Sequence, residues 1–321
     1  MSAGSGIPEA DLKKVKTIPI ARRANKVDPE LLAKAPGEVR SFDAFLDSLP
    51  DILAARDLKT VIADVAAAAR RNAVVTLVGG HVIKVGLGPL LIHLLDRGVL
   101  THVAMNGAAA IHDFELAAFG GTSEDVAAGL GDGTFGMAEE TGREMNAAIA
   151  AGRGESMGLG ESLARWLSRR GALPGGDACV LLAAWRRGIP VTVHVALGTD
   201  IIHQHPDADG AATGELTFRD FRRLAAALPA LDHGGVVLNL GSAVILPEVF
   251  LKALTVARNL GAGKPTHFTA VDCDMIRHYR PRLNVVQRPT RDGGSGYLLT
   301  GHHELLVPLI VWGVDAALAR R

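Results

Sequence analysis

The chain has little of what several interaction classes require. Aromatic side chains make up only 4% of its 321 residues, which leaves few stacking platforms for single-stranded nucleic acid. The formal net charge is zero. Phosphate backbones are held by a basic excess, so this balance argues against a general nucleic-acid binder. There are two cysteines, Cys179 and Cys273, with no Cys-x-x-Cys spacing. That argues against a disulfide framework and fits a reducing cytoplasm. Lysine is scarce beside arginine, which narrows any search for a catalytic amine. No stretch approaches the roughly 20 apolar residues of a membrane span, and the opening MSAGSGIPEADLKKVK has no apolar signal-peptide core. The expectation is a soluble cytoplasmic protein.

What is present is a repeated punctuation. Hydrophobic residues form 48% of the chain, enough for a large core. Short β-branched runs each break into a small polar step, and a helical pattern usually follows. VVTLV (74–78) ends at Gly79-Gly80-His81, and THVAM (101–105) at Asn106-Gly107-Ala108. VVLNL (236–240) ends at Gly241-Ser242-Ala243, and THFTAV (266–271) at Asp272-Cys273-Asp274. Further strands are expected over 189–197 and 296–300. Strand–helix alternation of this length predicts an α/β protein with a mostly parallel, Rossmann-like sheet and helices on both faces. Ligands of such sheets bind at the carboxyl ends of the strands, where these small steps fall.

Between the strands, helices are expected after Ser41, over 83–96, 139–151, 161–170, 177–187, 217–228 and 247–259, and from about His302 onward. Residues 1–40, broken by Pro8, Pro19, Pro29 and Pro36, read as an arm lying over the body or over a neighbouring subunit. Residues 41–321 read as one domain. The Gly-rich stretches 129–136 and 152–160 read as loops, the second exposed and mobile.

Four groups carry candidate chemistry. Asp200 follows the strand expected over 189–197, where a carboxylate accepts from a ribose hydroxyl or pairs with a cationic amine; capping of the next short helix is the competing reading. Asp272 and Asp274 beside another strand end suit an ammonium group, against a solvated turn. His112-Asp113, with Glu115, follows a short loop after strand 101–105 and suits proton transfer, against a capping Asp with an exposed His. His203 and His205 have a His-x-His spacing that puts two metal ligands on one face of a strand, although the segment reads as a loop. Gly241-Ser242-Ala243 is small enough to bring backbone close to a pyrophosphate. No GxSxG, Walker loop or strand-following GxGxxG is present.

The order of these pieces resembles the deoxyhypusine synthase family, including its bacterial deoxyhypusine synthase-like branch. The likeness runs from about residue 74 to the C-terminus. It rests on GVLTHVAMNGAAAIHDFE, RGIPVTVHVALGTDIIHQH, GGVVLNLGSAVI, FTAVDCD and ELLVPLIV taken in sequence. The resemblance implies NAD at the strand ends, with Gly79, Gly80, Asn106, Gly107 and Ala108 on one side. Gly241, Ser242, Thr269, Ala270 and Asp274 complete the implied NAD site. It implies a spermidine-like amine substrate and a homotetramer. Asp200 matches the acid of the amine site, and His112-Asp113 stands where the family has an acidic pair.

The chain departs from the family at one place that matters. The family passes a butylamine group through an imine on a lysine, but IRHYRPRLNVVQRPTRDGGSGYLLTG (276–301) holds no lysine. Leu246-Pro247 also replaces a family histidine. Lys84, at the first strand-to-helix turn, is the amine that remains near the strand ends. The sequence therefore supports an NAD-dependent aminoalkyl transferase with changed transfer chemistry. The alternatives are an inactive NAD- and amine-binding homologue, or a metal-dependent hydrolase built on His203 and His205.

Overall fold

The β-branched runs pair into a single sheet. The computed structural model describes residues 6, 8–261 and 263–320. Among them are six strands: β1 (Val74–Val78), β2 (His102–Asn106), β3 (Val191–His194), β4 (Val236–Leu240), β5 (Thr269–Asp274) and β6 (Ser295–Thr300). All neighbours are parallel, in the order β3-β2-β1-β4-β5-β6. Helices α1 (Phe42–Ser48) and α2 (Leu53–Ala68) precede the sheet, and Ser41 caps α1 as expected, accepting from the Ala44 N–H at 3.1 Å. After β1 come α3 (Gly80–Lys84) and α4 (Gly88–Asp96). Between β2 and β3 lie α5 (Gly107–Phe119), α6 (Val126–Asp132), α7 (Glu139–Gly154), α8 (Leu159–Arg169) and α9 (Val180–Arg186). Helix α10 (Gly210–Ala227) then carries the chain past β1 to β4, and α11 (Ile245–Leu260) links β4 to β5. A π-helical stretch, Pro281–Gln287, runs into α12 (Arg288–Thr290) before β6, and α13 (His303–Ala319) ends the fold.

Alternation along β1 sends Val74 and Val78 into one core and Val75 and Leu77 into the other. The first core lies against α2, α4, α9 and α13, and the second against α10 and α11. Covering on both faces explains why the strands are uniformly apolar rather than alternating. The strand order reverses between β1 and β4, which makes the crevice between their carboxyl ends the topological switch point. No helix of the described residues is long and apolar enough to cross a membrane.

Several boundaries differ from the sequence expectation. Strand β5 begins three residues late. The backbone N–H groups of Thr266 and His267 donate to Asp232 at 3.2 and 3.1 Å instead of entering the sheet. Pairing starts at Thr269 opposite Val236 and runs on through Asp274. The helix expected over 83–96 is two helices broken at Gly86. The stretch 152–160 is no long loop: it closes α7 and opens α8. A side chain on Gly160 would meet the Val191 carbonyl oxygen at 2.4 Å, so this glycine lets α8 seat on β3. The stretch 203–215, expected as a loop, holds the end of a 3-10 turn (Ile201–Gln204), and the helix expected from 217 already starts at Gly210. In the arm, 3-10 turns occur at Leu12–Lys14, Ile20–Arg22 and Pro29–Leu31, and Leu12, Val15, Ile18 and Ile20 are exposed. Residues 1–5 and 7 of the expected arm, and residue 321, lie outside the described residues.

Candidate functional site

Helix α5 starts without a loop. Asn106 ends β2, and its side-chain oxygen accepts from the Ala109 N–H at 2.9 Å, a cap that turns strand directly into helix. His112 is therefore on α5, with no loop between that helix and β2. The chain leaves β3 through Val195–Thr199 to Asp200, which precedes the 3-10 turn. These two exits, with α3, border a cleft of about 820 Å³. Ala108, Ile111, Phe119, Val126 and Phe135 give it apolar walls. Glu115, Glu124, Glu140 and Asp200 supply carboxylates, and Lys84 and Arg170 supply cations.

Asp200 is pressed against the first residue of α5. A Cβ on Gly107 would lie 1.9 Å from Asp200 Oδ2. That oxygen is sealed from solvent and has no hydrogen-bond partner. Burial raises the carboxyl pKa from 3.8 to about 6, because an ionised carboxylate loses hydration without compensation. The Asp200 side chain also forms a capping box with His203 at the start of the 3-10 turn, as the competing capping reading expects.

His112 is oriented by a relay. Its Nδ1 is 2.7 Å from Thr122 Oγ1, and the Thr122 hydroxyl donates to Glu115. Thr141 donates to the other Glu115 oxygen at 2.9 Å. With its own proton committed to Glu115, Thr122 accepts from His112, so the imidazole carries its proton on Nδ1 and leaves Nε2 as an acceptor. Burial lowers the His112 pKa, with nearby Lys84 adding to the effect and Glu115 opposing it. The cleft thus unites Asp200, His112, Lys84 and Ala108 from the sequence-derived set. Thr122, Glu124 and Glu140 were not foreseen. The only signal for them was an acid in the first turn of α7 and a polar loop after Gly120-Gly121.

Other candidates fall elsewhere. Asp113 points away from the cleft and is fully buried. It accepts from the Val180 N–H at 2.9 Å, the Leu181 N–H at 2.8 Å and the Cys179 thiol at 3.3 Å, which makes it the anchor of the α9 N-terminus. Thr269 and Ala270 open β5 at the amino edge of the sheet, away from the crevice, and the Thr269 hydroxyl donates to Asp64 at 2.7 Å. His203 Nδ1 accepts from the N–H groups of Gly198 and Asp200, each at 3.2 Å, and His205 packs on Gly142 of α7. Among the described residues no three His, Cys, Asp or Glu side chains converge as metal ligands. His203 sits on the 3-10 turn and His205 follows it, so the two do not share a strand face.

At the switch point, Gly79-Gly80 and Gly241-Ser242 lie side by side. A Cβ on Gly79 would come within 2.1 Å of the Gly241 carbonyl oxygen. On β4, Asn239 donates to Asp272 at 2.8 Å and to the Ser242 carbonyl at 3.1 Å, while its own Oδ1 is buried without a partner. Asp272 is raised from 3.8 to about 6, mainly by burial and further by Asp274. Asp272 and Asp274 both belong to β5 rather than to a turn.

No family model and no curated protein sequence matches the chain. Among solved structures it is similar to a candidate deoxyhypusine synthase from Entamoeba histolytica, with a TM-score of 0.51 and 12% identity over 88% of this chain and 96% of that one. A candidate LOR/SDH protein from Methanococcus maripaludis S2 gives a TM-score of 0.48 and 14% identity over 88% of this chain and 72% of that one. An arginine dihydrolase from cyanobacteria, in its apo form, gives 0.49 and 16% over 81% of this chain and 32% of that one, so this chain spans about a third of its length. At such identities the shared property is the fold: a parallel six-stranded α/β sheet with helices around it, of the deoxyhypusine synthase-like type.

Proposed function

We propose that the protein is an NAD-dependent enzyme that acts on a polyamine or related amine, with Lys84 in place of the family lysine. The observation that carries this reading is the cleft itself, with apolar walls and the carboxylates of Asp200, Glu115, Glu124 and Glu140 along its border. A polyamine alternates ammonium groups with methylene runs, and that lining complements both. Asp200 would hold one ammonium group by a charge-assisted hydrogen bond. Glu115, Glu124 and Glu140 would balance further positive charge, and Ile111 and Phe119 would cover methylenes.

The residues at the switch point fit a dinucleotide. The Gly79-Gly80 and Gly241-Ser242 turns pack backbone against backbone at the carboxyl ends of β1 and β4, and Asn239 Oδ1 is an acceptor without a donor. Bound there, NAD supplies a hydride acceptor for the carbon next to the amine nitrogen. His112 Nε2 would take the ammonium proton before oxidation. The Lys84 ammonium would give up a proton to the leaving nitrogen, and its free amine would attack the oxidised carbon and release the remainder of the amine, leaving an imine on Lys84. A cytoplasmic homotetramer completes the reading, with the exposed apolar side chains of the arm as contact surface.

A second reading is favoured by one observation: residues 276–301 hold no lysine. On that reading the protein binds NAD and an amine without turnover. Incubating the full chain with NAD and a panel of polyamines, and following NADH and amine-derived adducts by mass spectrometry, tests both. Turnover is expected. Binding without products would select the second reading, and no binding of either ligand would sink both.

A further inference from the structure

His81 and His303 meet at the switch point. His81 follows the Gly79-Gly80 turn as the second residue of α3. His303 opens α13 and is 1% exposed. Their Nδ1 atoms are 3.0 Å apart. On its other side, His303 Nε2 lies 3.2 Å from the Cys273 carbonyl oxygen and 3.7 Å from Asp274 Oδ1. The turn after β4 is shaped around this ring: Gly241 has φ +68°, and a Cβ there would approach the His303 ring at 2.8 Å.

Proton positions follow from the partners. A carbonyl only accepts, so His303 carries a proton on Nε2. Burial lowers the His303 pKa and His81 adds to this, while Asp274, the Cys273 carbonyl and Glu304 oppose it. A neutral His303 has a lone pair on Nδ1, so the 3.0 Å contact requires the His81 proton to be on Nδ1. His81 Nε2 is then an acceptor. Among the described residues it has no hydrogen-bond partner, and it is not one of the sealed polar atoms.

We propose that His81 and His303 form a proton relay at the switch point. His303 fixes His81 as the Nδ1–H tautomer, and His81 Nε2 accepts a proton from an O–H or N–H group of a ligand bound over the carboxyl ends of β1 and β4. The ligand's O–H or N–H bond breaks and an N–H bond forms on His81 Nε2. The positive charge on His81 is stabilised by the His303 Nδ1 lone pair. Passage of the Nδ1 proton to His303 brings the charge next to the Asp274 carboxylate. The groups facing the pair are Asp274 and the Cys273 carbonyl from β5, Glu304 from α13, and backbone from the Gly241 turn. The identity of the ligand rests on the functional reading above; the tautomer does not.

The test uses the full chain labelled with ¹⁵N and long-range ¹H–¹⁵N correlation of the imidazoles. The expected wild-type spectrum has His81 protonated on Nδ1 and His303 on Nε2. An Nε2–H tautomer for His81 overturns the relay whatever the protein binds. Addition of NAD and amine is expected to shift the His81 Nε2 resonance, and saturating binding that leaves it unmoved also overturns the proposal. His81→Asn keeps a donor toward His303 but lacks the outward acceptor. It is expected to bind NAD within a few-fold of wild type and to lose turnover by about 10²–10⁴-fold; turnover at the wild-type rate overturns the relay. If the wild type binds and turns over nothing, the functional reading fails, and the spectra alone still decide the tautomer lock.

Discussion

Gly107 and Asp200 share one space. The carboxylate leans on the Gly107 Cα so closely that an added methyl would sit 1.9 Å from Oδ2. Gly107→Ala must therefore move Asp200 or the first turn of α5. Because Asp200 belongs to the short segment between β3 and the 3-10 turn, the side chain is expected to yield before the helix does. The variant should lose about 1–3 kcal/mol of stability, the range for overpacking, and about tenfold or more in amine affinity. Thermal unfolding and amine titration check the two effects. A Gly107→Ala protein with wild-type amine affinity would mean that Asp200 is not the anchor.

The raised pKa of Asp200 fixes how binding depends on pH. An ammonium group needs the ionised carboxylate, so protons compete with the amine below about pH 6. Affinity is expected to fall about tenfold per pH unit below that value and to be flat above it. Asp200→Asn should remove this dependence and weaken binding above pH 7 by about 10–100-fold, the worth of one hydrogen bond to a charged group. Stability should move the other way. The folded pKa lies above the unfolded value of 3.8, so the native state binds the proton more tightly. Its advantage is present at low pH, is lost as pH rises from 3.8 through about 6, and leaves a penalty above that. Asp200→Asn removes the penalty and should stabilise the protein above pH 7 by about 1–2 kcal/mol, a value discounted for partial exposure. Calorimetry at two pH values measures the difference, and a destabilised Asp200→Asn above pH 7 would mean that the capping box with His203 outweighs the unpartnered Oδ2.

How much the sequence could reveal depended on the range of the interaction. The strand cores were readable because burial on both faces imposes a continuous apolar run, as in Val74–Val78 and Val236–Leu240. The β5 register was not, because Asp232, far back in the chain, captures the N–H groups of Thr266 and His267. That shift removed Thr269 and Ala270 from the crevice. Adjacent residues on a helix point about 100° apart, which is why His112 and Asp113 separate although the sequence offers them as a pair. The convergence of Lys84 with Asp200 was only half legible: the strand-end position showed, and the shared cleft needed the packing of α3 beside α5.

Asp113 makes a structural prediction opposed to a catalytic one. It is fully buried, and burial raises its pKa to about 6 despite the two backbone bonds and the thiol bond that favour the charge. Asp113→Asn puts an amide N–H among donors at the start of α9. A loss of about 2–4 kcal/mol is expected from the unsatisfied groups, seen as a lower midpoint in urea. The folded fraction should bind amine and NAD as wild type does. A variant of unchanged stability and lost turnover would return Asp113 to the catalytic set.

On the proposed function, Lys84 would carry the covalent transfer. It borders the cleft with His112 and Asp200, and its charge adds to the lowering of the His112 pKa that burial causes. An amine nucleophile there would form an imine with the oxidised substrate carbon, and cyanoborohydride would reduce that imine to a stable secondary amine on Lys84. Peptide mapping after incubation with NAD, a polyamine and the reductant should therefore place the added aminoalkyl mass on the peptide containing Lys84. Lys84→Arg keeps the charge near His112 and removes the nucleophile, because a guanidinium does not deprotonate. That variant should bind amine within a few-fold of wild type, still reduce NAD in a first turnover, and give no adduct. An adduct on another lysine would move the transfer step away from α3, and an adduct on Lys84 that forms equally without NAD would reduce it to nonspecific labelling.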